Sequence, residues 1–229
     1  MSNKPDIKII TTDDGSHSLY VAHLNETYHS FHGAIQESLH VFIKHGLDAY
    51  TQNKKQKTYS IFEVGLGTGL NALLTADYSE KNNLHIEMTS IEAFPLSPEV
   101  TDHLNYGQHI KNEKGKDWLK LIHNTPWAIT EPIHPQFLLK KIEDKLENFP
   151  LEDEAFDVVY FDAFAPNKQE EMWSYTILEK VSRSIKPQGI FVTYCAKGQL
   201  KRDLAQLGFQ VNTLPGPPGK KEMIQAVKV

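Results

Sequence analysis

Glu63 stands just ahead of three alternating glycines, Gly65, Gly67 and Gly69, in the stretch IFEVGLGTGLNALL, residues 61–74. A β-branched and aromatic run precedes them, and apolar residues at helical spacing follow. Glycines in such a turn can take positive φ and let a ligand approach the backbone closely. The N–H groups that open a helix attract anionic or electron-rich groups. An acid directly before the turn can meet a cationic group, such as an amine, and would repel a pyrophosphate. The next strand ends in Glu92, within SIEAF, where an acid commonly binds the two hydroxyls of an adenosine ribose. The turn lacks the G-x-G-x-x-G spacing of dinucleotide folds. Together these residues point to S-adenosylmethionine more than to NAD. The competing reading leaves Glu63 and Glu92 as solvated strand ends.

The second reactive stretch is DVVYFDAFAPNKQEEMW, Asp157 to Trp173. Asp162 closes an apolar strand, and Phe164, Pro166 and Asn167 make a stiff polar-aromatic loop. Methyl transfer to an amine needs positioning and desolvation more than acid catalysis, because the leaving thioether departs neutral. The amine must arrive as free base. A carboxylate can hold it and accept the proton it loses. Asp162 is therefore the candidate catalytic residue. Phe164 and Trp173 are candidates to stack on a flat base or face a sulfonium. The alternative makes Asp162 a helix cap and the aromatics core.

These residues need strand ends to carry them. Strand patterns fall at Tyr59–Val64, His85–Ile91, Phe137–Ile142, Asp157–Phe161, Gly189–Tyr194, Gln210–Leu214 and Met223–Val229. Helical patterns fall at 69–79, 96–106, 115–123, 171–184 and 198–207. Alternation of strand and helix predicts a mostly parallel sheet covered on both faces. LPGPPGKKE, between the last two strands, is too short for a crossover helix, so those strands should be antiparallel. The expected fold is α/β, Rossmann-like, with seven strands and an antiparallel C-terminal pair. That architecture resembles the class I S-adenosylmethionine-dependent methyltransferases. Residues 7–10 and 18–23 flank the polar turn DDGS and read as a hairpin. Residues 34–50 carry apolar positions at helical spacing. The expected division is an N-terminal hairpin and helix extension over 1–57, then a methyltransferase domain over 58–229.

Composition narrows the class. The 229 residues are 40% hydrophobic and 23% charged, as in a globular chain able to bury its own core. No stretch approaches the roughly 18–20 apolar residues of a membrane span. The start, MSNKPDIKII, lacks the pattern of a signal peptide. The single Cys195 excludes an internal disulfide framework and a Cys-based zinc cluster. A cytoplasmic protein is expected. With a net charge of −5, any nucleic-acid partner must meet a local basic patch.

The segments FEVGLGTGLNALLT, IEAFPLS, YFDAFAPNKQEEMW, YCAKGQLKRDLAQLGFQV and GPPGKKEM resemble the MnmC-like methyltransferases. The D-A-F-A-P-N and G-P-P-G-K-K-E-M segments carry more of this resemblance than the glycine turn. It implies transfer of a methyl group to the exocyclic amine of 5-aminomethyl-(2-thio)uridine at the tRNA wobble position. It also implies a functional link to the enzymes that install the aminomethyl group. The chain ends at Val229 without a flavin-binding motif, so it resembles the stand-alone methyltransferase form.

By motif position, the resemblance assigns Glu63, Gly65, Gly67, Thr68, Gly69 and Asn71 to the cofactor site. It gives Glu92, Ala93 and Phe94 to the ribose and adenine edge. Asp144 falls where the family has a strand-end Gly-Asp, with Glu143 in place of the glycine, so either acid is a candidate for the adenine. Asp162, Ala163, Phe164 and Pro166 match the acceptor-side loop.

Further substrate candidates lie outside the sheet. ETYHSFHGAIQES, Glu26 to Ser38, groups His29, Ser30, His32 and Gly33 before a helix and reads as a cap over the site. No metal is expected, because the two histidines lack a third ligand. Lys197, Lys201 and Arg202 at a helix start, with Lys220 and Lys221 in the Gly-Pro loop, are candidates for phosphate contact. Cys195 reads as a packed thiol. The 107–135 insert, with its NTPWAITEPIHPQ run, reads as a loop over the sheet end beyond its helix. Competing functions are methylation of a small-molecule amine or a protein, aminopropyl transfer, and a non-catalytic binding module.

Overall fold

Strand alternation in β4 (Thr58–Val64) sends Tyr59 and Ile61 to one face of the sheet and Phe62 and Val64 to the other. The computed structural model describes residues 7–52 and 54–229. Residues 1–6 and Asn53, which belong to the expected N-terminal extension and its basic linker, lie outside the described residues.

Five strands form the parallel centre: β4, β5 (His85–Glu92), β7 (Phe137–Glu143), β8 (Phe156–Phe161) and β9 (Ile185–Thr193). The order across the sheet is β10-β11-β9-β8-β4-β5-β7-β6. β10 (Phe209–Pro215) and β11 (Glu222–Lys228) pair antiparallel from Phe209↔Lys228 to Pro215↔Glu222, as the Gly-Pro loop between them requires. The sheet has eight strands where the sequence pattern predicts seven. The extra one is β6 (Thr130–His134), antiparallel to β7 at the edge. It lies in the run read as a loop. Its Pro132 hides a strand signal, yet an edge strand tolerates a proline because half of its backbone needs no partner.

The first face carries α3 (Leu70–Asn82), α5 (Gly115–Asn124) and the helix over 34–51. That helix starts as α1 (Ala34–Ser38), widens into a π-helical stretch over Leu39–Asp48, and ends as α2 (Ala49–Thr51). Its Val41, Phe42 and Leu47 share one apolar cluster with Ile61, Val158 and Val192. The second face carries α6 (Tyr175–Ser184) and α7 (Gly198–Gln206). Cys195 is buried in that cluster.

Two helices are shorter than their patterns. Over 96–106 only α4 (Pro98–Thr101) and the start of a 3₁₀ turn at Tyr106–Gln108 form. Residues 171–184 split at Ser174, whose ψ of 149° separates the 3₁₀ turn Glu170–Trp173 from α6. A small antiparallel sheet of β1 (Ile7–Thr11), β2 (His17–Val21) and β3 (Glu26–Thr27) precedes α1. Its turn is closed by the Asp14 carboxylate, which accepts the Ser16 N–H at 3.0 Å and the Thr12 hydroxyl at 2.8 Å.

Candidate active site

The chain leaves β4 towards β5 on one side and returns to β8 on the other. Loops that diverge from neighbouring parallel strands leave a crevice at their C-terminal ends. Here the crevice is a cavity of about 1930 Å³, bounded by the loops after β4, β5, β7 and β8, by Tyr194, and by residues 21–30.

The glycine turn forms its floor. Gly65 has φ 91°, and a Cβ there would stand 3.0 Å from the Asp162 carbonyl oxygen, so only glycine lets this turn lie against the β8 loop. The Gly67 N–H donates to Glu92 Oε2 and the Phe94 N–H donates to Glu92 Oε1, both at 2.9 Å. Glu92 thus ties the first turn to the second. The Thr68 hydroxyl shares a 2.7 Å hydrogen bond with His29 Nε2, and His123 Nε2 donates to the Thr68 carbonyl at 3.1 Å. Burial lowers both imidazoles to a pKa of about 4, so they are neutral near pH 7.

Asp162 follows β8 and reaches the cavity beside this turn. Asn71 Nδ2, from the first turn of α3, donates to its Oδ2 at 2.9 Å. The loop after Asp162 is held from several directions. Tyr194 donates its hydroxyl to the Ala163 carbonyl at 2.8 Å, and Trp173 Nε1 donates to the Phe164 carbonyl at 2.7 Å. Gln169 Oε1 accepts the Phe164 N–H at 3.1 Å. Tyr28 meets Phe164 edge to face at 5.1 Å. The Lys168 ammonium donates to the Leu24 carbonyl at 2.7 Å, which joins this loop to the small sheet.

Over residues 107–229 the chain matches the model of a family described as S-adenosyl-L-methionine-dependent methyltransferase. The chain belongs to this family. It is 31% identical over 215 residues to the tRNA 5-methylaminomethyl-2-thiouridine biosynthesis bifunctional protein MnmC of Burkholderia thailandensis, covering 87% of this chain and 32% of that protein. It is 30% identical to the MnmC protein of Leptospira interrogans, covering 87% and 32%. The methyltransferase thus spans about a third of the length of the curated relatives it matches. Among solved structures, MNMC2 from Aquifex aeolicus superposes with a TM-score of 0.77 at 25% identity, over 98% of this chain and 71% of that one.

The floor of this methyltransferase fits the amino-acid end of S-adenosylmethionine. Two buried acceptors, Glu63 Oε1 and Asn71 Oδ1, meet no donor from the rest of the protein, and the Glu63 and Asn71 side chains lie within hydrogen-bonding reach of each other. An unpaired buried acceptor is costly, and an ammonium donor beside it removes that cost. Glu63 is fully buried, and desolvation chiefly raises its pKa to about 8, with Asp162 and Glu92 adding to the rise. Asp162 is raised to about 7, by desolvation first and then by the Glu37 charge.

Of the residues singled out in the sequence, Gly65, Gly67, Thr68 and Asn71 line the cavity floor. Glu92, Ala93, Phe94 and Asp144 line the β5 and β7 side. Asp162, Ala163, Phe164, His29, Ser30 and Lys220 line the opposite side. The others do not reach the wall. Alternation in β4 turns Glu63 under α3, where it accepts the Ser90 hydroxyl. Gly69 caps α3 and packs on Ile122 and His123. Glu143 is the exposed last residue of β7, so Asp144, one position on, is the acid that turns inward. His32 is exposed, and its Nδ1 lies 3.2 Å from Asp13 Oδ2; Gly33 lies against the Asp14 side chain. Pro166 does not line the cavity. Trp173 packs on Phe161 in the core and steadies the loop through its N–H, as the core reading of this aromatic expects. Lys197 is the exposed cap of α7.

Tyr28, Glu37 and Tyr194 are among the wall residues that the sequence pattern does not single out. For Glu37 a signal exists. It stands among Ala34, Ile35 and Ser38 on the buried face of α1, where a charge needs a reason. Among the described residues no group of three or more His, Cys, Asp and Glu is placed to hold a metal ion, and no helix is long and apolar enough to cross a membrane.

Proposed function

We propose that this chain methylates the exocyclic amine of 5-aminomethyl-(2-thio)uridine at the wobble position of tRNA. The observation that carries the reading is the Asp162 carboxyl, oriented by Asn71 on the wall of the cofactor cavity. A carboxyl with a pKa of about 7 is matched to taking a proton from an amine at neutral pH. S-adenosylmethionine, when bound, supplies an electrophilic methyl group on a sulfonium centre.

The residues divide the work. Asn71, backed by the buried Glu63, would receive the cofactor's ammonium, and Glu92 and Asp144 would hold its nucleoside end. Gly65 and Gly67 keep the floor free of side chains. Asp162 orients the amine so that its lone pair is available, and takes the proton. Phe164 and Tyr28 offer flat apolar surface to a base, while Ala93 and Phe94 border the nucleoside side. The relatives' names, which place them in tRNA 5-methylaminomethyl-2-thiouridine biosynthesis, support tRNA as the acceptor. Lys197 and Lys221 are exposed and would meet phosphates, whereas Lys201 already pairs with Glu222 at 2.8 Å.

The test incubates the protein and S-adenosylmethionine with tRNA carrying aminomethyl wobble uridine, and reads the nucleosides by mass spectrometry. One added methyl on that uridine, lost in Asp162→Ala, is the expected result. No gain with the cofactor still bound would reject tRNA and turn attention to small amines.

A further inference from the structure

Glu37 belongs to a helix that the cofactor turn does not use, yet it faces the same cavity as Asp162. Its side chain is buried, with 4% of the residue exposed. Oε1 accepts the Ser30 N–H at 3.0 Å, and Oε2 accepts the Lys220 ammonium. Lys220 comes from the β10–β11 loop, and its Nζ stands 3.9 Å over the Tyr194 ring. Tyr194 in turn bonds the carbonyl of Ala163, next to Asp162. A carboxylate and an ammonium from distant parts of the chain are thus fixed on the wall of the cavity that Asp162 also lines.

Charges on the wall of one cavity shift one another's protonation. Glu37 raises the proton affinity of Asp162, and Lys220 lowers it by less. The other polar groups facing Asp162 are Asn71, which lowers it, Glu63 beneath the glycine turn, and Tyr194.

We propose that Glu37, fixed by the Ser30 N–H and the Lys220 ammonium on the cavity wall that also carries Asp162, is a positioning residue for methyl transfer that acts through Asp162. The inference rests on the reading that Asp162 receives the acceptor amine. As the nitrogen lone pair takes up the methyl group the nitrogen becomes an ammonium; one of its N–H bonds then breaks, the electron pair stays on nitrogen, and the proton passes to an Asp162 oxygen. Without Glu37 the carboxylate is a weaker base, and the proton has a poorer destination.

The experiment titrates the full chain, free of cofactor and RNA, with ¹³C-carboxyl-labelled aspartate. The Asp162 resonance is identified by its loss in Asp162→Asn. Glu37→Gln keeps an acceptor for the Ser30 N–H, and should lower the Asp162 midpoint by about one unit. Lys220→Met should raise it. Both variants break the same ion pair, so a purely structural role predicts shifts of the same sign. Opposite signs support the proposal; equal signs, or no movement, overturn it. Calorimetric binding of S-adenosylhomocysteine checks that each variant is folded. Where Lys220→Met is not folded, Lys220→Gln replaces it, and Glu37→Gln with an unchanged or raised midpoint is enough to reject the idea. The titration uses no acceptor, so failed methylation of tRNA would reject the acceptor and leave this result standing.

Discussion

Asn71 Nδ2 lies 2.9 Å from Asp162 Oδ2, and that hydrogen bond joins the helix after the glycine turn to the acceptor-side carboxyl. Its other amide atom, Oδ1, is buried, and the side chain also meets the buried Glu63 carboxyl. One amide therefore touches both carboxyl groups. Asn71→Ala should weaken S-adenosylmethionine binding and slow methyl transfer by about 10- to 100-fold, the equivalent of about 1–3 kcal/mol. Because Asn71 lowers the Asp162 pKa, the acid limb of the rate profile should also move to higher pH. Calorimetry and single-turnover rates separate the two effects.

The rate profile itself follows from Asp162. Its pKa is raised from 3.8 to about 7, and only the carboxylate can accept a proton. The pH dependence of kcat/KM should therefore fall with unit slope below about pH 7. A flat profile from pH 5 to 8 would show that Asp162 does not take the proton.

Stability should carry the opposite signature at Glu63. Its folded pKa of about 8 exceeds the ordinary 4.5, so its contribution is full below pH 4.5 and is lost as pH rises through about 8. Glu63→Gln removes that loss. In cofactor-free protein the gain in Tm should grow between pH 4.5 and 8, then level off. A gain that is constant with pH would point to packing and not to charge.

His29 and His123 act at lower pH. Both have folded pKa values of about 4 against 6.5 unfolded, so the unfolded chain takes protons that the native state refuses. Stability is full above pH 6.5 and falls as pH drops towards 4. His29→Asn should flatten this decline by about half, and should weaken cofactor binding because the Thr68 hydroxyl loses its partner. Urea unfolding at pH 4.5 and 7 measures the first effect.

Gly65→Ala should cost more stability than Gly67→Ala. At Gly65 the new methyl meets the Asp162 backbone at 3.0 Å with φ at 91°, and backbone cannot move aside. At Gly67 it meets the Tyr28 ring at 3.1 Å with φ at 48°, inside the left-handed region that other residues enter at a cost of about 1 kcal/mol. Denaturant midpoints rank the two. Equal losses would mean that the β8 loop yields.

Tertiary context explains what the sequence leaves open. Gly65, Gly67, Glu92 and Asp162 are legible because each sits at or just after a strand end, and strand ends follow from local apolar runs. The antiparallel final pair is legible for a similar reason, since the Gly-Pro loop cannot hold a helix. By contrast, Glu63 reads as a cavity residue until the twofold alternation of β4 turns it under α3. Glu143 and Asp144 are equivalent in sequence, and only the end of β7 separates the exposed acid from the inward one. Trp173 resembles a stacking platform, but its ring completes the core against Phe161.

The partnership of Glu37 with Lys220 spans 183 positions, and no local pattern encodes it. Residue type and spacing determined which chemistry the chain can perform, because turns, helix starts and strand ends are local. Which charges stand beside Asp162 was decided only by packing, because electrostatic influence depends on distance and burial in the folded protein.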